Sequence, residues 1–525
     1  MSKTISSWKR VPRPEIAFLV FYTVTSVLLA LLLPAGCGLD EPQHIARVDQ
    51  IARGQLLSVP VRSTNGTSLE EADSKDILYG GDVDKALVDL ASASVQKYQG
   101  TKKKFAFPAW RDDYAASVGS YGDADKSDAF SNTSVYSPIA YLPQALGLRL
   151  GLLFTHNAYA LTIACRMGAI AFLAVALYLC IRRIPIGKWA LVWLGLLPNV
   201  LVTNACVNAD TVTLGVCVCM VTALLRVASP NKIDQRIDWV CLAVASLLLG
   251  LVKMSYLPLL GLYLLIPFMR EDFRDFKAIL RLALIVVASI AAFLLWYLQI
   301  KDINTGAMWN SPGIDPAAQL TFVLAHPLHF CRLLLNALLS DDVLNILGGN
   351  VASRARANAG FFVRPNWWLL IGALALCVTL NDDREAFKLD SGRKLVSFVA
   401  TCVVFFLLVH MLVNTALYLQ YTPVGKSPID GVQARYFLPA ELVLLLPFVA
   451  IAQARKASAL AEGAKAYASI AKDSATETDT PMVTSQAPRA KRAYEQAGIA
   501  PWVLCVLYLV VCTLQLYVAF FNTFR

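Results

Sequence analysis

The feature that most constrains this chain is a series of apolar stretches, repeatedly reaching the length that crosses a bilayer, separated by polar connections. They fall near residues 16–33, 158–181, 189–203, 211–227, 238–252, 256–269, 279–299, 366–380, 395–419, 436–453 and 500–520. A hydrocarbon layer about 30 Å thick takes roughly 20 residues of helix to cross, and inside it every backbone N–H and C=O needs a partner within the protein. The chain therefore reads as an all-α polytopic membrane protein with about eleven transmembrane helices. Composition agrees, since 57% of the residues are hydrophobic and only 16% are charged.

A formal net charge of +10 would point to nucleic acid in a soluble chain. Here the basic residues collect in short connections: Arg182, Arg183 and Lys188; Arg226, Lys232 and Arg236; Arg270, Arg274 and Lys277; Arg384, Lys388, Arg393 and Lys394. That is the positive-inside pattern, so the charge reports orientation and no nucleic-acid partner is expected. The N-terminus is placed in the cytoplasm, and the segment after the first helix outside.

The basic residues of 1–14 and the apolar run after them look like a signal peptide, and Pro34-Ala35-Gly36-Cys37 resembles a lipoprotein processing site. The run is long for a signal core, and Pro34 stands where an aliphatic residue is preferred, so an uncleaved first helix is expected. The 12 cysteines contain no Cys-x-x-Cys pair and indicate neither a disulfide framework nor a zinc site. Cys37 and Cys206 are both expected outside, where they have the chance to meet.

The organisation expected is a first transmembrane helix within 1–36, an extracytoplasmic loop over 37–157 and a transmembrane core over 158–453 with an outer loop at 300–364. A disordered cytoplasmic linker over 454–497 and a last helix within 498–525 complete it. A polar loop as long as 37–157 is either a folded unit or a functional element. Within it, Gly81 to Gln99 carries Val83, Leu87, Leu90 and Val95 at helical spacing, which predicts an amphipathic helix on the membrane surface. Asp123 to Asp128 begins like a calcium loop but lacks its glycine and glutamate, and reads as a solvated turn. The 300–364 segment, with His326, His329, Asp341 and Asp342, is expected to hold a re-entrant or surface helix.

Chemistry concentrates in Gly38-Leu39-Asp40-Glu41-Pro42-Gln43-His44-Ile45-Ala46-Arg47, directly after the first apolar run. Ionisable groups at a membrane boundary are costly to dehydrate and mark function by default. Pro42 suits a first helical turn, and Asp40 and Glu41 then lie near its positive end with His44 and Arg47 on one side. The alternative is that Asp-Glu-Pro merely caps an interfacial helix. Three more clusters are expected on the same outer face: Asn204 to Asp210, Lys253 with Tyr256, and Arg435 with Tyr436. The cations suit a lipid-linked phosphate, Arg through its fork and Lys as a point charge. A carboxylate suits removal of the proton from an attacking hydroxyl. The alternative for Lys253 and Arg435 is snorkelling at helix ends.

The blocks Leu39-Asp40-Glu41-Pro42-Gln43-His44, Asn208-Ala209-Asp210, Lys253-Met254-Ser255-Tyr256-Leu257-Pro258 and Val432-Gln433-Ala434-Arg435-Tyr436-Phe437-Leu438-Pro439 resemble the signature of a bacterial membrane family of unknown function. That family is itself similar to the GT-C glycosyltransferases. Two departures stand out: Leu39 replaces a usual proline, and Met254-Ser255 replaces a proline-containing pair. The resemblance implies a GT-C-like fold with an acidic motif in a large first extracytoplasmic loop. It also implies a polyprenyl-phosphate-linked sugar donor, inversion at the anomeric carbon, a glycan or lipid acceptor, and a site on the outer face of the bacterial inner membrane. Asp40 matches the catalytic acidic position and Glu41 its neighbour. His44, Arg47, Asp210, Lys253, Tyr256, Arg435 and Tyr436 are the substrate-binding candidates. No cofactor is expected. Some GT-C enzymes use a divalent metal, and Asp40 with His44 offers only two ligands. Membrane lipids are the surrounding partners. The rival expectations are a lipid-linked glycan transporter or flippase, which needs no base, and a glycan polymerase or ligase.

Overall fold

The computed structural model describes residues 13–98, 119–230, 232–305, 313–339 and 392–474, with 374, 389 and 510 as isolated positions. It is mainly helical. Helix α1 (Pro14–Leu32) has proline in its first turn, where the missing N–H is no loss, and stops at an extended Leu33 because Pro34 follows. Shorter helices, among them α2 (Glu41–Ala52) and α3 (Lys85–Tyr98), and an antiparallel sheet occupy the segment before the second span. The strands are β1 (Val59–Ser63), β2 (Ile77–Asp84) and β3 (Asp125–Ala129), with β2 in the middle. This sheet is the first departure from the all-α expectation.

The chain continues through α4 (Leu142–Gly151), α5 (Ala158–Arg183), α6 (Lys188–Gly195), α7 (Pro198–Asn204), α8 (Asp210–Ala228) and α9 (Arg236–Val252). A 3-10 segment over Met254–Leu264 leads to α10 (Phe276–Thr305), the bent pair α11 (Pro316–Ala325) and α12 (Pro327–Leu339), then α13 (Gly392–Tyr421) and α14 (Leu438–Ser474). Among the described residues six helices are long and apolar enough to cross a membrane, or seven if the pair α11 and α12, bent by 104°, is one broken span. The six are α1, α5, α8, α10, α13 and the first half of α14. Expected spans near 366–380 and 500–520 lie, but for the isolated positions 374 and 510, outside the described residues.

Local chemistry explains where the expected spans differ. The 189–203 stretch divides into α6 and α7 because Pro198 holds Leu197 extended, with φ −57° and ψ 138°. The 256–269 stretch contains Pro258 and winds mostly as a 3-10 helix. Residues 454–474, expected to be disordered, continue α14 as helix, in keeping with their alanine, lysine and glutamate content. Gly81 to Asp84 belongs to β2, paired to β3 from Gly81 opposite Asp128 to Asp84 opposite Asp125, so the expected amphipathic helix starts only at Lys85. Its apolar positions Leu87 and Leu90 are fully buried in the protein core. Periodicity had identified an apolar face but not its partner.

Helix α8 sits at the centre, with 89% of its spanning window buried, whereas α10 lies at the edge with 17% buried. Helices α4 and α5 approach backbone to backbone. A Cβ at Gly147 would stand 2.2 Å from the Ala164 carbonyl oxygen, and one at Gly168 would stand 2.1 Å from that of Pro143. Small residues permit such contact where apolar burial alone drives helices together weakly. The packing brings the turn after α1, the start of α8, the break after α9 and the turn before α14 to one end of the bundle.

Candidate functional site

Four ionisable side chains from these four breaks form one chain of ion pairs. Lys253 Nζ donates to Asp210 Oδ1 at 2.8 Å, Arg435 Nε lies 3.4 Å from Asp210 Oδ2, and Arg435 Nη2 donates to Asp40 Oδ2 at 2.9 Å. Arg435 Nη1 also donates to the Leu39 carbonyl at 3.1 Å, and Nε to Gln433 Oε1 at 2.6 Å. Each member stands where a helix begins, breaks or ends. Asp210 opens α8, Lys253 is an extended residue after α9, and Arg435 sits in a 3-10 turn before α14.

Asp40 immediately precedes α2 in a left-handed conformation, φ 58° and ψ 16°. Only a few per cent of non-glycine residues adopt positive φ, with aspartate among those that tolerate it best. This geometry turns the carboxylate toward Arg435 instead of back onto the helix amides, and no side-chain cap is made. Its side chain is 42% exposed, against 6% for Asp210 and 0% for Glu41.

Glu41, expected to share the catalytic position, is enclosed. Arg166 Nε and Nη2 donate to its two oxygens at 3.0 and 2.9 Å, the Gly38 amide donates at 3.0 Å and the Val207 amide at 2.8 Å. The remaining Arg166 donors reach the carbonyls of Ala30, Leu33 and Pro34, so the guanidinium also satisfies the C-terminus of α1. Sequence reasoning missed Arg166, although an arginine in the middle of the 158–181 stretch was signal enough.

The remaining expected residues divide. His44 is buried, with Nδ1 2.8 Å from the Tyr141 hydroxyl, and burial followed by the nearby Arg435 charge pushes its pKa down to about 4. It is therefore a neutral imidazole and not part of a cationic clamp. Arg47 turns away from Asp40. Its guanidinium bonds Gln50, Ser58 and the carbonyls of Leu56 and Tyr136, fastening α2 to its surroundings. Tyr256 donates to the Tyr436 carbonyl at 2.7 Å, joining the break after α9 to the turn before α14.

Lys253 Nζ lies 4.7 Å from the Tyr436 ring centre and 5.2 Å from that of Tyr136. Burial is the largest single influence and works against its charge, but the Asp210 carboxylate together with the Tyr136, Tyr256 and Tyr436 hydroxyls overcomes it and holds the ammonium well above its ordinary pKa. A cavity of about 140 Å³ opens beside Lys253. Tyr136, Tyr256 and Tyr436 line it near the ammonium, and Phe293, Trp296 and Leu417 of α10 and α13 form its apolar wall. Tyr136 was not singled out from the sequence, because an aromatic at a membrane re-entry reads first as an interfacial anchor.

The loop between α7 and α8 is held by its own polar side chains. The Thr211 amide donates to Asn208 Oδ1 at 2.9 Å, Thr211 Oγ1 to Asn204 Oδ1 at 2.6 Å, and Gln144 Nε2 to the Asn208 carbonyl at 2.7 Å. This is how Asn204 to Asp210 delivers one carboxylate at a fixed place.

No curated protein and no solved structure gives a significant match to the chain. The family model described as Predicted membrane protein (DUF2142) matches residues 24–445, a span holding all four ion-paired residues, and the chain belongs to that family.

Proposed function

We propose that the protein is an inverting membrane glycosyltransferase. It moves a sugar from a polyprenyl-phosphate donor to a glycan or lipid acceptor at the outer face of the bacterial inner membrane. The observation that carries this reading is the contrast among the three carboxylates. Glu41 and Asp210 are enclosed by their cations, while Asp40 is 42% exposed and borders the same ion-pair chain. An exposed carboxylate beside fixed cations supplies a base and a phosphate site together.

The donor phosphate binds at Lys253 and Arg435. An ammonium has three donors, of which Asp210 takes one. The lipid tail follows the apolar wall from Lys253 toward Phe293 and Leu417. A phosphate entering this lattice competes with Asp40 for Arg435, which links donor binding to release of the carboxylate. Asp40 then takes the proton of the acceptor hydroxyl as its oxygen attacks the anomeric carbon from the face opposite the phosphate. The polyprenyl phosphate leaves as an anion held by the cations, without a general acid. None of these steps needs a cofactor.

A second reading rests on Glu441, in α14. It is fully buried, and neither of its carboxylate oxygens has a hydrogen-bond partner among the described residues. An unpaired carboxylic acid inside a span suits a proton-coupled transporter of lipid-linked glycans. Purified protein supplied with a panel of polyprenyl-phosphate sugars separates the readings. Release of polyprenyl phosphate with sugar transfer supports the transferase. Movement of intact donor across vesicles without release would replace it with the transporter.

A further inference from the structure

Cys37 and Cys206 have no part in the transfer chemistry, yet they stand on the two loops that carry its acids. Cys37 is three residues before Asp40, and Cys206 is four before Asp210. Both are free thiols, and their Sγ atoms lie with a Glu41 carboxylate oxygen in a group no more than 4.8 Å across. The backbone between Cys37 and Asp40 presses on Cys206, for a Cβ at Gly38 would stand 2.7 Å from the Cys206 Cβ. Glu41 ties down the residue after each cysteine, accepting from the Gly38 amide at 3.0 Å and the Val207 amide at 2.8 Å.

Two thiols and a carboxylate at this spacing also describe a metal site. The chemistry opposes it. Both Glu41 oxygens are already bonded to Arg166, whose guanidinium neutralises the carboxylate and repels a cation, and two thiols alone fall short of the four ligands of a structural zinc site.

We infer that Cys37 and Cys206 form a disulfide in the mature protein, cross-linking the Asp40 loop to the Asp210 loop. This rests on the outward orientation of that end of the bundle, not on the transfer reaction. The co-reactant is a disulfide-bearing thiol oxidoreductase of the outer compartment. Cys37, the more exposed of the pair, attacks the oxidant's disulfide as its thiolate, breaking that bond and forming a mixed disulfide. The Cys206 thiolate then displaces the oxidant. The oxidant departs as a dithiol, carrying two electrons, and the two thiol protons balance the exchange.

A second close pair serves as control. Cys180 and Cys219 have sulfurs 3.5 Å apart but lie within the spans α5 and α8, where a water-soluble oxidoreductase has no access. The test is to trap full-length protein with a thiol alkylator in intact cells, digest it without reduction and read the peptides by mass spectrometry. The expected result is a linked peptide pair containing Cys37 and Cys206, with Cys180 and Cys219 alkylated. A host lacking the outer oxidoreductase should yield both site cysteines alkylated. Reduction should lower the thermal midpoint of the wild type but not of a Cys37→Ala/Cys206→Ala variant. Alkylated Cys37 and Cys206 in the oxidising host, reproduced after treating purified protein with oxidised glutathione, means two packed thiols and overturns the cross-link. Linkage of both pairs would also overturn it, because proximity and not compartment would then decide.

Discussion

Arg435 Nη2 donates to Asp40 Oδ2 at 2.9 Å, joining residues 395 positions apart and closing the first helix against the last described one. The same guanidinium reaches Asp210 and the Leu39 carbonyl, so it organises three directions at once. An ammonium has the charge but not the planar fork. Arg435→Lys should therefore weaken donor binding nearly as much as Arg435→Ala, by about 1.5–3 kcal/mol for a lost charge-assisted bond. Titration with a polyprenyl-phosphate sugar in detergent measures this. Wild-type affinity in Arg435→Lys would remove the fork from the argument.

Lys253 should behave differently. It contributes a point charge held by Asp210 and two tyrosine rings. Lys253→Arg keeps the charge and should retain part of the binding, whereas Lys253→Met keeps bulk and should lose about 1.5–3 kcal/mol. The Met variant leaves Asp210 with Arg435 alone, so its fold is checked by thermal unfolding before affinity is compared.

Glu41 and Arg166 are both fully buried and bonded to each other through both carboxylate oxygens. Removing one partner strands a buried charge, which typically costs about 3–5 kcal/mol, while removing both together costs less. Arg166→Leu and Glu41→Leu should each unfold more readily in mixed detergent than the double variant does. A double variant that is merely the sum of the singles would show that the pair acts as two independent contacts.

His44 supplies a pH dependence. Its pKa in the fold is about 4 against an ordinary 6.5, with burial the leading cause, so the unfolded chain binds the extra proton first as pH falls. The contribution is complete above about pH 6.5 and is lost progressively on acidification toward about pH 4. The shift corresponds to about 3 kcal/mol. Thermal midpoints of wild type and His44→Gln taken from neutral to mildly acidic pH should converge. Parallel curves would place the acid sensitivity elsewhere.

Orientation is open to direct labelling. Single cysteines placed at Asp123 and Ser469, in a background without the native ones, should react with an impermeant reagent from opposite sides of the membrane. The basis is the alternation of basic connections along the chain. Labelling of both positions from the same side would overturn this topology.

What the sequence made legible was whatever depends on composition and on cost. The long apolar segments α1, α5, α8, α10 and α13 stood out because nothing else accounts for them. Asp40, Asp210, Lys253 and Arg435 stood out because ionisable groups beside such segments are expensive. Distribution of partners was not legible. Adjacent in sequence, Asp40 and Glu41 looked equivalent, and only the left-handed turn at Asp40 sends one to Arg435 and the other to Arg166. The sheet was hidden because its strands contain Pro60, Asp82 and Asp128, which do not alternate cleanly with apolar residues. Leu87 and Leu90 showed a helix face, but whether lipid or protein covers such a face is a property of the assembled fold.

Asp40 gives the decisive test of the proposed chemistry. Asp40→Asn preserves size and can still accept a hydrogen bond from Arg435, so the ion-pair chain loses one charge without losing its geometry. It cannot take a proton. Donor binding should stay within a few fold of wild type, while transfer should fall by roughly 10²–10⁴, the usual contribution of a positioned general base. Measuring donor affinity and single-turnover sugar transfer on the same preparation separates the two effects. Because Glu41 is sealed by Arg166, Glu41→Gln should instead lower stability along with activity. Wild-type transfer by Asp40→Asn, or a loss explained wholly by donor affinity, would move the base to Asp210, the remaining carboxylate of the ion-pair chain.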